Sequence, residues 1–235
     1  MDVLNYIQTA RTNRQCLLAV LVDPDKHTDS YPFLNSADLV FVGGSTGGCD
    51  NGFIQQLRTH TSKPIVLFPG NLNQICSAAD ALLFLSVMSS RNAELLIGQH
   101  IACAQQVKDS GLETIPMGYI LIDGGTSSSV MKVSHSLPLA ANDIKTITDT
   151  AIAAELLGKE LVYLEAGSGA KNPVSIDIIR SVKHHINIPL IVGGGIRTIT
   201  QMLSAKDAGA DIVVIGNYFE QHAHEIPLFA QALHS

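Results

Sequence analysis

A chain of 235 residues, 46% of them hydrophobic, holds one large domain or two small ones and has ample apolar side chains for a sizeable core. Against 21 acidic residues there are 15 basic ones, a formal net charge of -6. No run of Lys or Arg forms a stripe that could follow a phosphate backbone, so nucleic acid is excluded as a ligand.

In chain order, Met1 to Arg14 is polar and mixed and does not read as a signal peptide. The first apolar run, Leu17 to Val22, leaves through Asp23, Pro24, Asp25 and Lys26; the second, Leu39 to Val42, through Gly43, Gly44, Ser45, Thr46, Gly47 and Gly48. A third run, Ile65 to Phe68, leaves through Pro69, Gly70 and Asn71, and Gly52 to His60 before it has helical character. The interval from Phe68 to Leu82 is too short and broken to hold a loop, a full helix and a second loop, which predicts a gap in the helical layer. The longest apolar run, Ala79 to Met88, is interrupted by Asp80 and Ser86 and falls far short of the ~20 residues of a membrane span. It predicts a core strand over Leu82 to Leu85.

A helical stretch, Ala93 to Ser110, precedes the fifth strand, Tyr119 to Ile122; Asp123 to Ser129 reads as a flexible loop without a catalytic role. Ile144, Ile147, Ala151, Ala154 and Leu157 stand at helical spacing, with Asn142 able to cap the start and Gly158 the end. The sixth strand, Leu161 to Leu164, runs into Glu165, Ala166, Gly167, Ser168 and Gly169. Helical patterns at Ser175 to His185 and Ile199 to Ala208 alternate with strands Leu190 to Val192, ending in Gly193 to Gly195, and Ile212 to Ile215, ending in Gly216 and Asn217.

Eight short runs rich in Val, Ile and Leu, alternating with helices, suit parallel strands buried on both faces. A (β/α)₈ TIM barrel is therefore expected, with the third helix replaced by irregular chain, as one domain over residues 1–235. An open doubly wound sheet is the rival, but a barrel gathers all these polar and glycine-rich exits at one mouth. Cys16, Cys49, Cys76 and Cys103 form no C-x-x-C pair and read as free thiols of a cytoplasmic protein, and the nine histidines form no metal-spaced cluster.

Tyr163 and Glu165 alternate on a strand, so a hydroxyl and a carboxylate reach one pocket beside glycines that let backbone amides approach an anion. Gly194, Gly195, Gly216 and Asn217 occupy the exits of the last two strands, where barrels often bind phosphate; Arg197 could add charge or cap a helix. Two carboxylates and an ammonium at Asp23, Asp25 and Lys26 are the parts for a magnesium-bound diphosphate, or equally for a simple Asp-Pro-Asp turn.

The combination of Val22-Asp-Pro-Asp-Lys26, Val42-Gly-Gly-Ser45, Phe68-Pro-Gly-Asn71, Tyr163-Leu-Glu-Ala-Gly-Ser-Gly169, Val192-Gly-Gly-Gly-Ile-Arg197 and Ile215-Gly-Asn217 resembles the geranylgeranylglyceryl phosphate synthases and their bacterial relatives, the barrel prenyltransferases. The serine-rich Asp123 to Ser129 stretch is similar to the bacterial and group II branch. The resemblance spans nearly the whole chain and implies attack by the 3-hydroxyl of sn-glycerol 1-phosphate on C1 of a prenyl diphosphate, with geranylgeranyl diphosphate the favoured donor. An ether-lipid precursor forms and diphosphate leaves.

Carried over by position, the resemblance implies Mg²⁺ held by Asp23 and Ser45, and Lys26 assisting the leaving group. Glycerol phosphate would sit among Tyr163, Leu164, Glu165, Ala166, Gly167, Ser168, Gly169, Gly194, Gly195, Gly216 and Asn217, with Glu165 and Tyr163 catalytic. It also implies a homo-oligomer, and substrate and product lipids imply transient membrane contact at most. Phe68, Leu72, Ile75, Leu83 and Leu85 lie where an apolar trench or plain core would be. The rivals are a phosphosugar isomerase or synthase and a non-catalytic phosphate-binding barrel; the first shares the last-strand glycines, and the second needs no Asp23, Lys26, Tyr163 or Glu165.

Overall fold

The computed structural model describes residues 2–26, 31–44, 48–70, 74–125 and 137–235. Eight parallel strands close into a barrel in simple sequence order. They are β1 (Leu17–Val22), β2 (Leu39–Val42), β3 (Ile65–Leu67), β4 (Ala81–Val87), β5 (Glu113–Leu121), β6 (Leu161–Glu165), β7 (Leu190–Gly193) and β8 (Ile212–Ile215). Closure is made by β1 against β8, with Leu17 opposite Ile212 and Val20 opposite Ile215.

The helices are α1 (Val3–Thr12), α2 (Asn51–Arg58), α3 (Gln99–Ser110), α4 (Ile144–Leu156), α5 (Ile176–His185), α6 (Ile199–Ala208), α7 (Asn217–Gln221) and α8 (Ile226–His234). A wider π-helical turn, Glu94–Gly98, leads into α3. Among the described residues no α-helix separates β3 from β4, as the short interval predicts. No helix of the described chain is long and apolar enough to cross a membrane.

Alternation along each strand divides the core in two. Leu18, Val20, Val40, Ile120, Val162, Leu164, Val192 and Val213 pack outward against the helices. Leu17, Ala19, Phe41, Val66, Leu83, Met117, Tyr163, Ile191 and Val214 point inward and fill the barrel. Leu83 thus belongs to the barrel filling.

The N-terminal segment, polar in the sequence, is a helix. Asp2 caps α1, and Val3, Ile7 and Ala10 join the inward cluster, so this short amphipathic element plugs the floor. Glu113, at the start of β5, accepts the Val3 amide at 2.6 Å and the Leu4 amide at 2.8 Å, placing a carboxylate on the positive end of α1. Three more acids stitch the same end. Asp38 accepts the Leu18 amide at 2.8 Å, Asp80 the Ile65 amide at 2.7 Å and Asp211 the Leu190 amide at 2.7 Å, each standing one residue before a strand.

Two local expectations are corrected. The N-cap of α4 is Asp143, not Asn142, its carboxylate accepting the Thr146 amide at 3.0 Å. β5 begins at Glu113, six residues before the expected Tyr119, because Pro116 and Gly118 disguise a strand. Gly118 is required where it stands, since a side chain there would run into Ala154 of α4.

Candidate active site

The C-terminal ends of the strands surround a cavity of about 290 Å³. Its polar wall holds Asp23, Lys26, Glu165, Ser168, Gly169, Gly194, Gly195, Arg197, Gly216, Asn217 and Glu220; its apolar wall holds Leu21, Phe68, Leu85, Val87, Leu95, Tyr119 and Val214. A charged head and an apolar tail would both find matching surface in this single space.

At the base lie Tyr163 and Glu165, both fully buried, the Tyr163 hydroxyl donating to the Glu165 carboxylate. Gly167 donates its amide to Glu165 Oε1 at 2.6 Å. Burial lifts the Glu165 pKa to about 7, the largest influence, while these two donors hold it back. Burial, followed by the charge of Glu165, raises the Tyr163 and Tyr119 hydroxyls well above their ordinary range, so both stay protonated. Phe68 stacks on Tyr163 with ring centroids 5.4 Å apart and contacts Tyr119 at 5.9 Å, so an aromatic floor supports the carboxylate.

Glycine makes the site possible at two places. A side chain on Gly193 would overlap the Tyr163 hydroxyl, and one on Gly194, whose φ is +84°, would overlap Glu165 Oε1 and the amides of Ala166 and Gly167. The loops are then tied together. Ser168 donates its hydroxyl to Asn217 Oδ1 at 2.7 Å, and Arg197 reaches the carbonyls of Ala170 at 2.6 Å, Gly195 at 3.2 Å and Gly169 at 3.4 Å. Arg197 staples the β6 and β7 exits and caps no helix; Thr198 is the N-cap of α6.

Across the mouth, Lys26 Nζ lies 2.9 Å from Glu220 Oε1 and 3.8 Å from Asp23 Oδ2. Asp23 Oδ1 accepts the Asp25 amide at 3.0 Å. A side chain on Gly44 would collide with the Asp23 carboxylate, so β2 leaves a cradle at this oxygen. Carboxylate oxygen facing a ligand cavity is a fitting donor for Mg²⁺, which takes one or two carboxylates and fills its remaining positions from water and substrate phosphates. Ser45, the other expected ligand, lies outside the described residues, as do Asn71, Leu72 and Thr126 to Ser129. The described residues hold no cluster of three or more His, Cys, Asp or Glu suited to a metal.

Of the expected glycerol phosphate residues, Tyr163, Glu165, Ser168, Gly169, Gly194, Gly195, Gly216 and Asn217 come together at the cavity. Leu164 faces outward into the helix-side core, and the Ala166 amide is taken by the Gly193 carbonyl at 3.1 Å. Glu220 and Tyr119 were not singled out from the sequence. Tyr119 stands opposite Tyr163 in the β5 and β6 register, which a correct start for β5 would have exposed; Glu220, on a five-residue helix, carries no local signal.

Comparison with known proteins agrees with this geometry. The PcrB family matches residues 11–232. The geranylgeranylglyceryl phosphate synthase of Zunongwangia profunda is 47% identical over 222 residues, covering 91% of this chain and 94% of that protein. The protein of the same name from Spirosoma linguale is 43% identical over 225 residues, covering 90% of this chain and 89% of its own. The crystal structure of (S)-3-O-geranylgeranylglyceryl phosphate synthase from Thermoplasma acidophilum in complex with substrate sn-glycerol-1-phosphate superposes with a TM-score of 0.91 at 30% identity, covering 100% of this chain and 99% of that one.

Proposed function

This chain belongs to the PcrB family, and on that premise we propose that it is a prenyltransferase joining the 3-hydroxyl of sn-glycerol 1-phosphate to C1 of a prenyl diphosphate, with geranylgeranyl diphosphate the favoured donor. The observation that carries the reading is one cavity combining a glycine-built cup, a buried carboxylate and an apolar wall. Relatives named for this synthesis, and a neighbour bound to sn-glycerol-1-phosphate, support it.

In this reading the loops after β6, β7 and β8 hold the phosphate, and the glycerol lies over Glu165. Its carboxylate, tuned to about 7, orients the 3-hydroxyl and accepts its proton. A carboxylate is a weak base for an alcohol, so removal of the proton accompanies attack on an allylic carbon that already carries positive charge. Tyr163 remains a donor and fixes the carboxylate. Lys26 turns from Glu220 toward the departing diphosphate, offsetting the charge that builds there. Leu21, Phe68, Leu85 and Leu95 give the prenyl chain an apolar wall, each buried CH₂ contributing roughly 0.8 kcal/mol. Mg²⁺, held by Asp23 with Ser45, would compensate the negative charge of the diphosphate.

Incubation of the purified protein with sn-glycerol 1-phosphate and geranylgeranyl diphosphate, with Mg²⁺ or with EDTA, tests this reading. The expected result is an ether product that EDTA abolishes and that sn-glycerol 3-phosphate does not form. Absence of ether product with every chain length of prenyl diphosphate would overturn it.

A further inference from the structure

The connection from β3 to β4 carries no α-helix among the described residues, so side chains hold it in place. At its far end Asn51 Oδ1 accepts the Ala78 amide at 3.1 Å. Nearer the mouth stands Gln74, which carries no role in the sequence reading. It is 1% exposed, the one buried Asn or Gln among the described residues, and it does not line the cavity. A carboxamide withdrawn from water is costly unless its donor and its acceptor are both met.

Both are met, on two loops that do line the cavity. The Gly70 amide, after β3, donates to Gln74 Oε1 at 2.7 Å, and Gln74 Nε2 donates to the Gly44 carbonyl, after β2, at 2.9 Å. A donor on one side and an acceptor on the other fix which end of the carboxamide faces which loop. One side chain behind the wall thus joins two parts of the wall, Gly44 and Gly70.

The β2 exit has little freedom of its own. A side chain on Gly44 would collide with the Asp23 carboxylate and one on Gly43 with the Phe68 carbonyl, so this backbone is wedged between Asp23 and the β3 exit. The Gly43 amide donates to the Val22 carbonyl at 3.1 Å and the Phe68 amide to the Val42 carbonyl at 2.8 Å, carrying the barrel ladder one residue past β2 and β3. Past the end of that ladder, Gln74 joins Gly44 to Gly70. The glycerol phosphate loops are fastened separately, by Arg197 on the Ala170 carbonyl and by the bond from Ser168 to Asn217.

On the assignment of Asp23 to magnesium diphosphate proposed above, we infer that Gln74 is a positioning residue for the diphosphate half of the site. By holding Gly44 to Gly70 it keeps the backbone against which the Asp23 carboxylate rests. It acts through Gly44 and leaves the glycerol phosphate half untouched.

The test is calorimetric titration of the parent protein and of Gln74→Met with inorganic diphosphate in MgCl₂, and separately with sn-glycerol 1-phosphate. Methionine fills a similar volume and makes neither bond. The variant should bind diphosphate about five- to tenfold more weakly and hold the Kd for glycerol phosphate within about twofold. A side chain that served the fold alone would weaken both ligands together or neither. Should Gln74→Met fail to fold, amide hydrogen exchange on the parent decides. Magnesium diphosphate should slow exchange at Gly70 by about threefold or more, and sn-glycerol 1-phosphate should not. Equal weakening of both ligands, an unchanged diphosphate Kd, or Gly70 exchange indifferent to diphosphate overturns the role of Gln74 while the proposed function stands. A parent protein that binds no magnesium diphosphate removes the assignment of Asp23, and the role of Gln74 with it.

Discussion

Lys26 and Glu220, 194 residues apart in sequence, meet at the rim of the barrel where the neighbouring strands β1 and β8 exit, with Nζ 2.9 Å from Oε1 and 3.0 Å from Oε2. The ammonium that we propose for the leaving diphosphate is therefore already engaged. Glu220→Gln weakens the hold, and because half-exposed pairs are worth about 0.2–1 kcal/mol, inhibition by inorganic diphosphate should tighten about two- to fivefold. A weaker or unchanged inhibition constant would count against Lys26 as the diphosphate contact.

Glu165→Gln should lower kcat by about 10²- to 10⁴-fold, with KM for sn-glycerol 1-phosphate within about threefold. In the parent protein kcat should climb as pH rises through about 7, where the base form fills, then level off. The Gln variant should lose that rise. Normal turnover with a large KM increase would remove the carboxylate from the proton transfer.

The same substitution has an opposite effect on stability. Burial raises the Glu165 pKa from 4.5 to about 7, so between these values the unfolded chain has lost a proton that the folded chain retains. Stability from this group is full below 4.5, falls as pH rises toward 7 and is flat above, a loss of a few kcal/mol at about 1.4 kcal/mol per unit. Glu165→Gln should therefore raise Tm by several degrees at pH 8 and leave it nearly unchanged at pH 4, measured by calorimetry. Equal shifts at both values would contradict the burial argument.

Gly194→Ala and Gly158→Ala separate backbone strain from collision. Both glycines have positive φ, +84° and +79°, but a side chain at Gly158 meets open space while one at Gly194 meets Glu165. Gly158→Ala should cost about 1 kcal/mol and leave turnover intact. Gly194→Ala should cost more and reduce turnover at least about tenfold, since it displaces the carboxylate itself. Equal activities would show that the cup tolerates the displacement.

Asp23→Asn should raise the Mg²⁺ concentration needed for half-maximal rate by about tenfold or more, because an amide is a poorer ligand than a carboxylate for a hard cation. An unchanged magnesium titration would sink the assignment of Asp23.

Strands were legible where Val, Ile and Leu ran without interruption, and Leu17–Val22, Leu39–Val42 and Ile212–Ile215 have the expected bounds. Legibility failed where packing overrides propensity. Pro116 and Gly118 hide the first six of the nine residues of β5, and the polar sequence of α1 conceals its three inward side chains. At the mouth, chemistry that sits on consecutive residues was readable, as in Tyr163 to Gly169. Pairings made only by the closed barrel were not: Lys26 with Glu220 and Arg197 with the Ala170 carbonyl. No local pattern ties partners so far apart.

The clasp of Glu113 on α1 also sets an order of events during synthesis. The helix leaves the ribosome first, but its anchor lies 110 residues downstream of Val3, so at roughly 5–20 residues per second some 5–20 s pass before the two can meet. Through that interval the nascent chain carries an amphipathic plug with nothing to seal. The barrel base can thus be sealed only on a chain whose first four strands have already been made.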